Sequence, residues 1–168
     1  RFAFWGAEEL GLLGSDYYVN TLSDNDLGQI VANLNFDMIA SPNYARFVYD
    51  GDGSASEQAG PEGSAFLEWL FRDYFIDVGL ANEPTAFDGR SDYGPFIAVG
   101  IPAGGLFTGA EGIKTAEQAG IYGGEADIAY DACYHLACDT IDNVNLQALD
   151  EMSDAAAYAV NVLAVNRL

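Results

Sequence analysis

RFAFWGAEELG, residues 1–11, decides how this chain is read. Residues 1–5 have the aromatic, apolar character of a strand buried on both faces, Gly6 marks a break, and Glu8 and Glu9 then stand side by side. Neighbouring carboxylates repel one another and are costly to dehydrate, so a pair fixed at the end of a buried strand suits a site that holds a cation or a proton. On a solvent-facing loop the same pair needs no partner.

Outward from that stretch, helical and strand-like patterns alternate. ELGLLGSDYYVNTL (9–22) reads as a helix with Leu and Tyr on its inner face, and QIVANLNFDMIA (29–40) as a second core strand. ARFVYD (45–50) is a short strand, GDGSASEQAGPEG (51–63) a loop, and SAFLEWLFRDYFIDVGL (64–80) a long amphipathic helix. A short helix is expected over GPFIAVG (94–100), a strand over IPAGGLF (101–107) and a terminal helix over residues 145–168. This order predicts one α/β domain over residues 1–168, with a mainly parallel mixed sheet and helices on both faces.

Composition limits the partners. The chain of 168 residues carries 26 acidic residues against six basic ones, a formal charge of −20. That charge repels polyanions and leaves no basic stripe for a phosphate backbone, so nucleic acid is not an expected partner. No apolar run approaches a membrane span. The chain also starts on strand-like residues, where a mature protein seldom begins. Residues upstream are therefore expected, with an edge of RFAFW left to pair with that segment or with another chain.

In α/β sheets ligands bind beyond the carboxyl ends of the strands. Glu8 and Glu9 follow the first strand. In NLNFDM, Leu34, Phe36 and Met38 alternate with Asn33, Asn35 and Asp37, which brings Asp37 to the same edge if the strands are parallel. Such a polar stripe either serves a site or ties loops down. The one histidine, His135, lies in CYHLACDT between Cys133 and Cys138 and next to Tyr134. The cysteine spacing is one that a disulfide can span, and two reduced buried thiols are the other reading. If the loop is bridged, it fixes Tyr134 and His135. Glu9, Asp37 and His135 then form a carboxylate and imidazole set suited to zinc, with Glu8 left as a base.

Other signatures fail. GRSDY lacks the second glycine of a nucleophile elbow, and there is no phosphate-binding GxxxxGK[ST] loop. DGDGSASEQAGP has the early acids of a calcium-binding hand, Asp50 and Asp52, but Ala55 stands where glycine is required and Pro61 where a bidentate glutamate is required. It reads as a surface loop.

FAFWGAEELGLLGS, LNFDMI, GRSDYGPF, GIPAGGLFTGAE and CYHLACDT resemble the co-catalytic zinc aminopeptidases of peptidase family M28, particularly their secreted, Streptomyces-type, leucyl-preferring branch. The resemblance spans nearly the whole chain. It implies a metallo-aminopeptidase acting on peptides with a free N-terminus, with Glu8 as general base toward a metal-bridging water. It also implies Glu9 and His135 on one zinc, Asp37 on the other, and Tyr134 as donor to the carbonyl oxyanion. Arg90 and Phe107 match residues around the substrate, Phe107 lining an apolar specificity pocket. Cys133 and Cys138 match the family's disulfide, and a secreted location follows from the same likeness. Asp150 and Asp154 match a calcium site of the Streptomyces-type branch; read alone, they equally suit an acidic first helical turn. The family's remaining His ligand and bridging Asp come from motifs ahead of FWGAEE that this chain does not contain. Two expectations follow: a C-terminal portion of an aminopeptidase that is inactive alone, or a descendant that uses the fold for assembly without catalysis.

Overall fold

The computed structural model describes residues 1–165. Four strands form one sheet: β1 (Asn33–Phe36), β2 (Phe47–Tyr49), β3 (Glu83–Thr85) and β4 (Ala103–Phe107), in the order β1-β4-β2-β3. β1 runs parallel to β4 and β2 parallel to β3, while β2 and β4 are antiparallel. The helices are α1 (Leu13–Thr21), α2 (Asp24–Leu27), α3 (Ser64–Asp77), α4 (Gly94–Ala98), α5 (Ala116–Tyr122) and α6 (Leu146–Val165).

Strand alternation sorts the core into two sides. Val48 of β2 and Leu106 of β4 face α3 and α6, where they pack with Leu70, Phe71, Phe75, Met152, Ala155 and Ala159. The intervening Phe47, Tyr49 and Phe107 face the other side, against Tyr122, Tyr130, Phe87 and Tyr93. The sheet is thus mixed and covered on both faces, as the alternating pattern predicts. Among the described residues, no helix is long and apolar enough to cross a membrane.

Several expectations need correction. RFAFW is not a strand: it has no ladder partner among the described residues, and Phe2 and Phe4 are 84% and 96% exposed. An apolar segment with no strand beside it has nothing to pair with, and only Trp5 finds cover, against Tyr18 and Phe96 at ring distances of 5.1 and 6.0 Å. The helix expected over 9–22 is a short 3-10 turn (Glu8–Leu10) followed by α1, because Gly11 and Leu12 adopt left-handed backbone angles between them. The second strand is shorter than residues 29–40 for a similar reason, since Met38 turns at φ 52°. β3, α2 and α5 carry too weak a hydrophobic period to be seen in the sequence. The terminal helix is α6, and the last residues of that expectation, 166–168, lie outside the described residues.

Candidate active site

Glu8, Glu9, Asp37 and Phe107 sit at or next to the ends of regular elements, and Tyr134 and His135 in a loop. Ala7, at φ 57°, turns the chain into the 3-10 turn that carries Glu8 and Glu9. Gly14 is what lets α1 begin so close: its amide donates to the Gly6 carbonyl at 3.1 Å, and a Cβ there would lie 2.6 Å from that oxygen. Asp37 directly follows β1, and the Met38 carbonyl after it accepts from the Thr108 amide at 2.8 Å, pinning this corner to the end of β4. His135, at φ 58°, lies inside a loop closed by a Cys133–Cys138 disulfide. Asp131 holds that loop, accepting from the Cys133 amide at 2.8 Å and from Asn143 Nδ2 at 2.9 Å. Three positive-φ residues other than glycine therefore touch or carry the acidic and imidazole groups, and such strained backbone concentrates at functional sites.

The folded chain brings the N-terminal turn to the disulfide loop. Glu9 Oε2 lies 3.3 Å from His135 Nε2, and the rings of Tyr134 and His135 are 3.9 Å apart. Two ligands bound at about 2.0 to 2.1 Å to one tetrahedral ion stand roughly 3.3 Å from each other, so the contact distance of this His–Glu pair is compatible with a shared zinc. Asp37 is set separately. Ser91 Oγ donates to its Oδ2 at 2.6 Å, and Asn35 Nδ2 donates to Ser91 Oγ at 2.9 Å. Asn35 and Asp37 both reach Ser91, although β1 ends at Phe36 before Asp37.

Two adjoining hollows result. One, of about 320 Å³, is lined by Asp37, Phe107, Phe47, Tyr49 and Tyr130 among others. The other, of about 360 Å³, is lined by Glu8, Glu9 and His135. Arg90 and Tyr134 line both. Among the described residues, Glu9, Asp37 and His135 do not form a group with ligand atoms within 4.8 Å of one another; Asp50, Asp52 and Glu68 do. The expectation of a single common hollow becomes two hollows sharing a wall. Phe107 packs on Phe47 at 5.9 Å, giving the hollow beside Asp37 an apolar side. Arg90 pairs with Glu111 at 2.8 Å at its rim.

Electrostatically the site is rich in carboxylates. Burial pushes the Glu8 carboxyl up, and Glu9, Asp37 and Asp92 push it further, against a smaller opposing effect of His135. Asp92 is likewise raised, first by burial and also by Asp37, while Ser15 Oγ–H, donating at 2.5 Å, works the other way. Burial also raises the Tyr134 phenol, with Glu9 next in effect and Arg90 opposing, so the hydroxyl stays protonated and can donate. Ser91, Asp92, Glu111 and Asp131 escape a reading of the sequence. For the first two the motif GRSDY was the available signal. For Glu111 nothing local marks it, since its partner Arg90 is distant in the chain. Asp150 and Asp154 lie on the exposed side of α6, away from these hollows and beside Tyr74, whose phenol burial raises before their charges do.

Residues 1–160 match Peptidase family M28. The chain belongs to peptidase family M28. Its relatives include a probable leucine aminopeptidase 2 of Aspergillus oryzae, 59% identical over 160 residues, which cover 95% of this chain and 32% of that protein. Leucine aminopeptidase 2 of Trichophyton rubrum is 56% identical with the same coverage, 95% and 32%. The chain thus spans about a third of the length of these M28 relatives. A zinc aminopeptidase from Bacillus subtilis superposes with a TM-score of 0.69 at 26% identity, over 93% of this chain and 34% of that one. The aminopeptidase of Aneurinibacillus sp. strain AM-1 gives 0.67 at 24% identity, over 94% and 32%, and bears on the fold alone.

Proposed function

We propose that this chain is the part of a secreted zinc aminopeptidase that holds its general base, its oxyanion donor and three of its metal ligands. The observation that carries this reading is the tetrahedral-edge spacing of Glu9 and His135 at 3.3 Å, with Glu8 beside them and Asp37 in the adjoining hollow. Family membership and the names of the M28 relatives support it.

In this proposal Glu9 and His135 hold one zinc and Asp37 the second; bound there, the ions would polarise the scissile carbonyl and acidify a water. Glu8 takes that water's proton and returns it to the leaving amine. Tyr134 O–H donates to the oxygen of the tetrahedral species from the wall common to both hollows. Arg90, kept in place by Glu111, flanks the substrate on its carboxyl side, and Phe107 with Phe47 forms an apolar pocket for its first side chain. Substrates are peptides with a free N-terminus. The disulfide supports a secreted location, because such bridges persist in oxidising compartments. Calcium at Asp150 and Asp154 belongs to the same proposal and needs further oxygens, as two exposed carboxylates do not fill a calcium shell.

Glu9, Asp37 and His135 leave two zinc shells short of protein ligands, so the proposal includes a His and a bridging Asp from outside the 168 residues. The test is hydrolysis of an unblocked leucyl anilide. The full-length protein is expected to turn it over in a chelator-sensitive manner, and the 168-residue chain alone is expected not to. No turnover by the full-length protein with zinc rejects the aminopeptidase reading. Sustained turnover by the chain alone rejects the shared ligand set.

A further inference from the structure

The loop dismissed as a failed calcium-binding hand contains a second carboxylate cluster, at the other end of the sheet. β2 is antiparallel to β4, so the residue after β2, Asp50, lies near the start of β4, whereas Asp37 lies near its end. Asp50, Asp52 and Glu68 each place an oxygen within 4.8 Å of the others. Asp50 is fully buried and Glu68 is 2% exposed.

The two oxygens of Asp50 are treated very differently. Oδ2 accepts from the Ala55 amide at 3.0 Å and from the Ser56 amide and hydroxyl at 2.7 Å each. Oδ1 is buried and has no hydrogen-bond partner. A buried carboxylate oxygen left unpaired is costly, and such atoms call for a water, an ion or a strain function. Glu68 has one oxygen on Arg72 at 2.8 Å and the other on the Asp52 amide at 3.2 Å. Arg72 is half-exposed, and its ion pair is with Glu68.

We infer that Asp50, Asp52 and Glu68 form a cation site for a hard divalent ion of the calcium class, clamping the 51–63 loop between β2 and α3. All three donors are carboxylate oxygens, which select calcium over softer metals, and the remaining coordination positions go to backbone carbonyls and water. The loop is shaped to stay there. Gly51 lies so near the first turn of α3 that a Cβ would stand 2.1 Å from the Ser64 carbonyl oxygen, and Gly53 turns at φ 73°. The pattern was unreadable as a calcium motif because the third acid comes from α3 instead of from the end of the loop. This site is independent of the zinc reading.

The test is calcium titration of the purified, zinc-loaded protein by calorimetry, with thermal unfolding in parallel. Calcium is expected to bind and to raise the unfolding temperature. Asp52→Asn, at an exposed position where the amide oxygen can still accept from Ser54, should fold and should bind calcium at least about tenfold more weakly. Asp150→Asn with Asp154→Asn should leave this binding event in place, which separates it from any calcium on α6. Absence of calcium binding in the unaltered protein overturns the inference. So does an Asp52→Asn protein that responds to calcium as the unaltered one does.

Discussion

Glu9 Oε2 stands 3.3 Å from His135 Nε2, although one residue belongs to the first turn of the chain and the other to the disulfide loop near its end. Both side chains are about half-exposed or more, at 63% and 49%, and an exposed contact of that kind contributes little stability on its own. The backbone sets the distance. His135→Ala should therefore leave the fold nearly unchanged while lowering zinc affinity by about tenfold or more, read by zinc titration. Equal zinc affinity in the two proteins would remove His135 from the ligand set.

Glu8→Gln keeps the shape of the side chain and removes its basicity. In the full-length protein, kcat should fall by about 10²- to 10⁴-fold with zinc content unchanged. Unaltered turnover would reassign Glu8.

Tyr134→Phe removes a donor that acts most strongly on developing negative charge. A fall in kcat larger than any rise in KM is expected. If KM alone moved, Tyr134 would be a substrate-binding residue.

Ser91 both supports Asp37 and is itself held by Asn35. Ser91→Ala should lower metal affinity by about 10- to 100-fold while Glu8 and Tyr134 remain in place. Metal affinity that is unchanged while thermal stability drops would mark Ser91 as structural only.

The acid limb of stability should report Asp50. Its carboxyl titrates lower in the folded chain than in the unfolded one, so its contribution is present above about pH 4 and is lost as pH falls through the lowered folded value. Ser56→Ala, which deletes one of the donors to Oδ2, should shift acid unfolding to higher pH. An acid midpoint that stays put would mean that Asp50 is already protonated in the native state.

The sheet class, α3 and α6 were legible in the sequence, because apolar period is a local property; motif spacing also singled out Glu8, Glu9, Asp37, Tyr134 and His135, whose roles belong to the proposed function. RFAFW was misread for an equally physical reason. Aromatic content reports that a segment can be buried, not that a strand lies beside it, and Phe2 and Phe4 remain in solvent. The Ser91–Asp37 bond and the Glu68 arm of the second cluster join residues far apart in sequence. Only the fold brings them together.

Ala7, Met38 and His135 hold left-handed backbone angles immediately beside or at the chemical groups. A saturation scan at Ala7 and Met38, read by folded stability, should therefore rank substitutions by backbone permissiveness and not by side-chain similarity. At Ala7, glycine and asparagine should be accepted, while valine and isoleucine, closer to alanine in polarity, should be among the most damaging. Homology of side chains would be a poor guide to tolerance there, and torsion angle a good one.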